Sequence, residues 1–178
     1  TLTISDLETR FPRRKEGTVV TRFAPSPTGF LHIGGVYTAL MNAKLAHQAG
    51  GVFMLRIEDT DKKREVANSK GIICNVFNRL GVQIDEGVIS ETEQRGNYGS
   101  YIQSERIEIY HTVAKYLVET GYAYPCFCSE EELNEIRSKQ EELKVAPGYY
   151  REYAKYRNVT VEETAQKLAE KGSFVLRF

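Results

Sequence analysis

Arg22, Ser26, His32, Gly34, Gly35 and Glu58 are the residues whose types and spacing could do chemistry. A guanidinium, an imidazole and two adjacent glycines fall within one short stretch, and the carboxylates Glu58, Asp59 and Asp61 follow a second apolar run. Ring N–H donors and free amides at a helix start can both face an anion. Glycines carry no Cβ and admit a close approach. Nucleotide chemistry is therefore the first reading. Each residue also has a plainer one: His32 as a cap or loop filler, Gly34-Gly35 as a tight turn, Arg22 as an ion-pair partner of Glu58 or Asp59, and Glu58 as a carboxylate favoured by a helix N-terminus.

The elements that must position these residues can be read from period and punctuation. Thr18 to Phe23 is an apolar run that enters the proline-rigid loop Ala24-Pro-Ser-Pro-Thr-Gly29. Val36, Ala39, Leu40, Ala43 and Ala46 then recur at helical spacing, and Gly50-Gly51 closes that helix before a strand from Val52 to Ile57. This is one βαβ unit, expected to be right-handed, with its polar side chains at the carboxyl ends of parallel strands, where open sheets bind ligands. Arg22, His32 and Glu58 are expected to converge on a single cleft there. A second helix from Lys62 shows Ile73, Val76, Phe77 and Leu80 on one face and stops at Gly81, with Cys74 as core. Asp85 to Ser100 reads as loop, and Tyr101 to Thr120 as a third helix with a buried stripe of Ile107, Tyr110, Ala114, Leu117 and Val118. Ser129-Glu-Glu-Glu132 and Thr160-Val-Glu-Glu163 fit the capping box, so two more helices follow.

Of the 178 residues, 41% are hydrophobic and 27% charged, as expected for one globular domain with a smaller appendage. Three cysteines make a disulfide framework unsuited and fit a reducing compartment, and no apolar run is long enough for a membrane span or a secretory signal, so a cytoplasmic chain is expected. Lys plus Arg and Asp plus Glu stand at 24 each, so a polyanion site must be a local patch. Residues 1–17 read as an N-terminal extension whose Arg13-Arg14-Lys15 cluster lies on the surface, residues 18–121 as the first half of a nucleotide-binding domain, and residues 122–178 as the start of an inserted subdomain, rich in Tyr and carrying a C-x-C. Phe174 to Phe178 looks like a strand cut short, so the chain is expected to be a fragment.

Arg22-Phe-Ala-Pro-Ser-Pro-Thr-Gly-Phe-Leu-His-Ile-Gly-Gly35 resembles the first signature of the class I aminoacyl-tRNA synthetases, and with Arg56-Ile-Glu-Asp-Thr-Asp61 it resembles the bacterial glutamyl-tRNA synthetase branch. The likeness runs from about Thr18 to the end and takes in Gln103-Ser-Glu-Arg106 and the C-x-C. It implies a Rossmann-like α/β fold, a parallel sheet with helices on both faces, forming the first half of the catalytic domain plus part of a small inserted α+β subdomain. It also implies L-glutamate, ATP with Mg and tRNA(Glu) as partners, with no membrane involved. The implied activity is formation of glutamyl-adenylate and transfer of the glutamyl group to the tRNA 3′ end. The fragment alone is expected not to aminoacylate, since the Lys-rich second signature is looked for beyond Phe178.

Within that resemblance His32 stabilises the phosphate in the transition state, and His32, Gly34 and Gly35 contact ATP. Arg22 clamps a glutamate carboxylate, Ser26 hydrogen-bonds the amino acid, Ala24 offers backbone, and Glu58 takes the ammonium. Asp61 and Arg64 are implied to lie near the tRNA acceptor end, with local charge pairing as the alternative. Cys126 and Cys128 invite a zinc reading. Pro147-Gly-Tyr-Tyr-Arg-Glu-Tyr-Ala-Lys155 offers no Cys or His to complete it, so a metal-free subdomain is expected in which Tyr149, Tyr150 and Tyr153 pack in the metal's place. Three rivals remain: a paralogue that glutamylates queuosine in a tRNA, a small nucleotidyltransferase with a His-x-Gly-His motif, in which Glu58-Asp-Thr-Asp61 has no place, and a non-catalytic tRNA-binding relative.

Overall fold

The structure, a computed structural model, describes residues 2–29 and 31–178; Thr1 of the N-terminal extension and Phe30 of the signature loop fall outside the described residues. The elements are α1 (Ile4–Arg10), β1 (Val20–Phe23), α2 (Ile33–Gln48), β2 (Val52–Leu55), α3 (Ser69–Arg79), β3 (Glu86–Val88), β4 (Gln94–Arg95), α4 (Ile107–Glu119), β5 (Tyr124–Cys126), α5 (Glu130–Glu142), α6 (Val161–Lys171) and β6 (Val175–Arg177). They fall into two compact units, Thr1–Thr112 and Val113–Phe178.

In the first unit β1, β2 and β3 run parallel in that order, and β4 joins β3 antiparallel. α2, between β1 and β2, and α3, between β2 and β3, pack into one core cluster with the sheet. The core between them is built from Phe53, Leu55, Ile57, Ile73, Cys74, Phe77, Val82, Ile84 and Val88, with Ala39, Ala43 and Ala46 on the inner face of α2. Phe77 meets Phe23 and Phe53 edge-on, with centroids 5.9 and 6.4 Å away, a favoured aromatic geometry. The turn from α2 into β2 needs glycine at 51, because a Cβ there would come within 2.1 Å of the Val19 carbonyl oxygen.

Several elements differ from the sequence expectation. The helix expected from Lys62 starts at Ser69, since the preceding residues are taken up by local ion pairs of Lys62 with Asp59 and Glu65 and of Arg64 with Asp61. The stretch read as loop from Asp85 carries β3 and β4. The third helix begins as a 3-10 turn, Gln103–Arg106, and continues as α4. Its stripe is not buried: Ile107 and Val118 are exposed, and among the described residues of α4 Thr112 alone is buried. Leu40 of α2 is exposed as well. The N-terminal extension holds α1, opened by a capping box between Thr3 and Asp6. Arg14 is not a solvated surface charge: its Nη2 lies 2.6 Å from Glu86 Oε2 and its guanidinium stacks 4.0 Å from the Tyr98 ring centroid.

In the second unit β5 and β6 pair antiparallel, so Val175 to Arg177 is indeed a strand. Both expected capping boxes are present, Ser129 with Glu132 and Thr160 with Glu163. Gln140 is fully buried and satisfied: its amide donates to the Gly148 carbonyl at 2.7 Å and accepts from the Gly148 N–H at 2.8 Å.

Candidate active site

Beyond the ends of β1 and β2 the parallel ladder continues as two backbone bonds, and a third joins the loop farther on. Arg56 N–H donates to Phe23 O at 3.0 Å, Glu58 N–H to Pro25 O at 3.0 Å and Val66 N–H to Pro27 O at 2.9 Å. These pin the proline loop to the segment that carries the carboxylates. Proline fixes φ and offers no N–H, so the loop can accept from this ladder without an orphaned donor of its own. Arg22 and Glu58 are thereby brought together at the carboxyl end of the sheet.

Glu58 Oε1 lies 3.7 Å from Arg22 Nη1 and 3.7 Å from Arg56 Nη2. Arg56 Nη2 also donates to the Tyr110 hydroxyl at 3.4 Å. At 3.7 Å neither guanidinium makes a closed fork with the carboxylate; the attraction is Coulombic and leaves most N–H donors free.

A cavity of about 290 Å³ lies beside this cluster, walled by Phe23, Leu31, Gly35 and Ile73 and edged by Ser26, Thr28 and His32. His32 is the N-cap of α2, and its Nδ1 accepts from the Gly35 N–H at 3.3 Å. In the neutral ring that bond leaves the proton on Nε2. Ile33 and Gly34 N–H, at the helix start, have no partner within the helix. Gly35 is buried, and a Cβ there would meet Leu31 Cδ1 at 2.8 Å, so its small size keeps the cavity wall in place. Gly34 is exposed, with its would-be Cβ 3.1 Å from the His32 ring.

The single cleft expected for Arg22, His32 and Glu58 is divided into two adjoining places. Ser26, His32 and Gly35 line the cavity, whereas Arg22 and Glu58 pair outside it, and Ala24 and Gly34 do not line it. The cause is the period of a strand: successive side chains point to opposite faces. Phe23 turns toward α3, and Arg22, one residue earlier, turns away with Met54, its register partner.

Asp59 is 4% exposed and fully engaged. It accepts from Lys62 Nζ at 2.6 Å, from the Ser104 hydroxyl at 2.6 Å and from the Ser104 N–H at 2.8 Å. Burial opposes its ionisation, but the bonds from Lys62 and Ser104 outweigh that and hold the carboxyl down at about 2. Asp61 accepts from Arg64 Nε at 2.6 Å, and this bond lowers its pKa. Both acids thus have local partners.

Cys126 and Cys128 share one partner. The Tyr149 hydroxyl lies 3.4 Å from Cys126 Sγ and 3.5 Å from Cys128 Sγ, and the Arg177 guanidinium stacks 4.2 Å from the Tyr149 ring centroid. Burial raises Cys126, yet the Tyr149 and Arg177 bonds turn the net shift downward; burial leads the upward shifts of Cys128 and Tyr149. Among the described residues no group of three or more His, Cys, Asp or Glu is placed to hold a metal ion. Cys74 is core, with burial pushing its thiol up to about 11.

Arg56 and Ser104 stood only inside quoted motifs and Tyr110 only in a helix stripe, and none of the three was given a role in the site. Arg56 could have been found, because it sits two residues before Glu58 on the extended continuation of β2, where alternate side chains share a side. Ser104 and Tyr110 reach the site through the parallel bridge of Ile57 with Ile102, which has no local sequence signal.

Residues 18–178 match the family described as tRNA synthetases class I (E and Q), catalytic domain. The chain is 53% identical over 170 residues to the glutamate–tRNA ligase of Acetivibrio thermocellus, covering 94% of this chain and 31% of that protein. It is 49% identical to the ligase of Clostridium beijerinckii, with the same coverage. The solved glutamate-tRNA synthetase of Elizabethkingia anophelis superposes with a TM-score of 0.77 at 40% identity, over 90% of this chain and 32% of that one. The chain spans about a third of the length of these relatives.

Proposed function

The chain belongs to the class I tRNA synthetases (E and Q), as a part of their catalytic domain, and we propose that within a longer protein it serves to activate L-glutamate with ATP and pass the glutamyl group to the 3′ end of tRNA(Glu). The observation that carries this reading is the pairing of a helix N-terminus with a charged cluster at one sheet end: His32 at the start of α2, and Arg22, Arg56 and Glu58 at the ends of β1 and β2. Residues 18–121 would supply the activation half and residues 122–178 the start of the acceptor-binding insertion, in a cytoplasmic enzyme.

In activation a glutamate carboxylate oxygen attacks the α-phosphorus of ATP, the P–O bond to the leaving group breaks, and pyrophosphate departs. Negative charge grows on the phosphoryl oxygens. His32 Nε2–H and the amides of Ile33 and Gly34 are the donors positioned to meet it, and donors fixed in advance are worth most where charge develops. Gly35 leaves room for the nucleotide. Arg22 holds a glutamate carboxylate, Glu58 the ammonium, and Ser26 and the Ala24 backbone complete the amino acid contacts. Asp61 and Arg64 face the acceptor end of the tRNA. Mg enters with ATP as the substrate complex; Glu58 and Asp59 are engaged by Arg22 and Arg56 and by Lys62 and Ser104, so no protein ligand is assigned to it.

Glutamate-dependent ATP–pyrophosphate exchange, measured on the full-length protein with cognate tRNA present, tests the reading. His32→Ala should lower kcat by about 10²–10³-fold with little change in the glutamate KM. An unaltered kcat contradicts the role of His32. Exchange that runs without any tRNA would favour the queuosine-modifying paralogue.

A further inference from the structure

The group at the end of β1 and β2 holds more cation than its own anion can balance. Two guanidiniums, Arg22 and Arg56, share a single oxygen of Glu58 at 3.7 Å each, leaving the cluster with one unit of positive charge. The nearest further acids do not correct this, since Asp59 is taken by Lys62 and Ser104, and Asp61 by Arg64. Arg56 is the more buried guanidinium, its side chain 20% exposed against 49% for Arg22. Its Nε is buried without a hydrogen-bond partner among the described residues. Arg106 and Arg177 also have an unbonded Nε, but their guanidiniums are otherwise used, Arg106 on the carbonyls of Tyr98 and Ser100 and Arg177 on the Tyr149 ring. Among the described residues Arg56 has only a distant carboxylate and a long bond to Tyr110. A buried donor of this kind is costly unless a partner arrives.

We propose that Arg56 is a specificity-determining residue for the amino acid, the cation that makes the site select a dicarboxylic substrate. This rests on the reading of the cluster as the glutamate site. L-glutamate carries one ammonium and two carboxylates, a net charge of one negative unit, which the cluster neutralises. L-glutamine is neutral overall, so in its complex one buried guanidinium stays uncompensated. Arg22 with Glu58 alone would form a neutral pair, suited to any amino acid zwitterion. Arg56 adds the charge by which the two substrates differ, and a half-buried place makes that charge count more than it would in open water.

The test is a titration of the isotope-labelled full-length protein with L-glutamate and with L-glutamine, followed by NMR, in the native sequence, Arg56→Gln and Arg56→Lys. The native chain should prefer glutamate, with the Arg56 Nε–H resonance moving on addition of glutamate and staying still with glutamine. Arg56→Gln should weaken glutamate about tenfold or more while leaving glutamine within about twofold, and Arg56→Lys should keep much of the preference. Should Arg56→Gln lose the dispersion of a folded chain, the Nε–H resonance of the native chain decides: movement with glutamate alone supports the inference, and a still resonance overturns it. If both ligands weaken equally in Arg56→Gln, or the preference survives, Arg56 only buttresses Glu58 and the inference falls while the glutamate site stands. If the native full-length protein binds neither ligand, the glutamate reading of the cluster fails and takes this inference with it.

Discussion

Asp59 lies below the surface with a lysine ammonium, a hydroxyl and an amide on its two oxygens, and its carboxyl sits at about 2. A folded-state pKa below the unfolded value near 4 means that the unfolded chain takes up the proton first. The stability it contributes is therefore complete above about pH 4 and is lost as pH falls toward 2. Two pH units correspond to roughly 2–3 kcal/mol. Asp59→Asn should remove most of that at pH 7 and flatten the acid limb of the stability curve between about pH 4 and 2, measured by urea unfolding across that range. At the same scale the cysteines should separate by reactivity. Cys74, buried and with its thiol raised to about 11, should stay unmodified by iodoacetamide at pH 8, while Cys128, less buried, is alkylated; mass spectrometry of the native chain reads both.

Helix starts are the elements where sequence and structure agree most closely, because a cap is a local contract between neighbouring residues. Ser129 and Thr160 each receive the amide three residues on and are answered by Glu132 and Glu163. Ser129→Ala should cost about 1 kcal/mol, read as a shift in the denaturant midpoint. α3 shows the converse. Its start at Ser69 depends on Asn68 in a left-handed conformation and on Glu91, whose carboxylate accepts from the Gly71 N–H at 2.8 Å from another part of the chain. No window around Lys62 could show that Glu91 supplies the partner. Glu91→Ala should therefore loosen the first turn of α3, with amide exchange at Gly71 rising about fivefold or more, the loss of about 1 kcal/mol at a helix start. α4 marks a second boundary on what a sequence reveals: its apolar period names the face but not what lies against it, and Ile107 and Val118 stay exposed. Strands β3 and β4 were hidden for a related reason. They are short, and pairing rather than residue preference defines them.

At the scale of the whole molecule, the order of strand, proline loop, helix and strand was legible, and so were the motifs that identify the family. The division of site residues between a cavity and a charged cluster was not, although it follows from strand alternation applied to Arg22 and Phe23. Zero net charge over the chain hid a local excess of cation at Arg22 and Arg56, which is the quantity that bears on an acidic substrate. The account turns on whether these two places form one reaction centre. A crystal structure of the protein with a stable sulfamoyl analogue of glutamyl-adenylate measures this most directly. The account predicts the sulfamoyl oxygens within hydrogen-bond distance of His32 Nε2 or the Ile33 and Gly34 amides, with the glutamate carboxylate against the Arg22 and Arg56 guanidiniums. An analogue seated with its sulfamoyl group away from the start of α2, or its carboxylate away from both arginines, would contradict it.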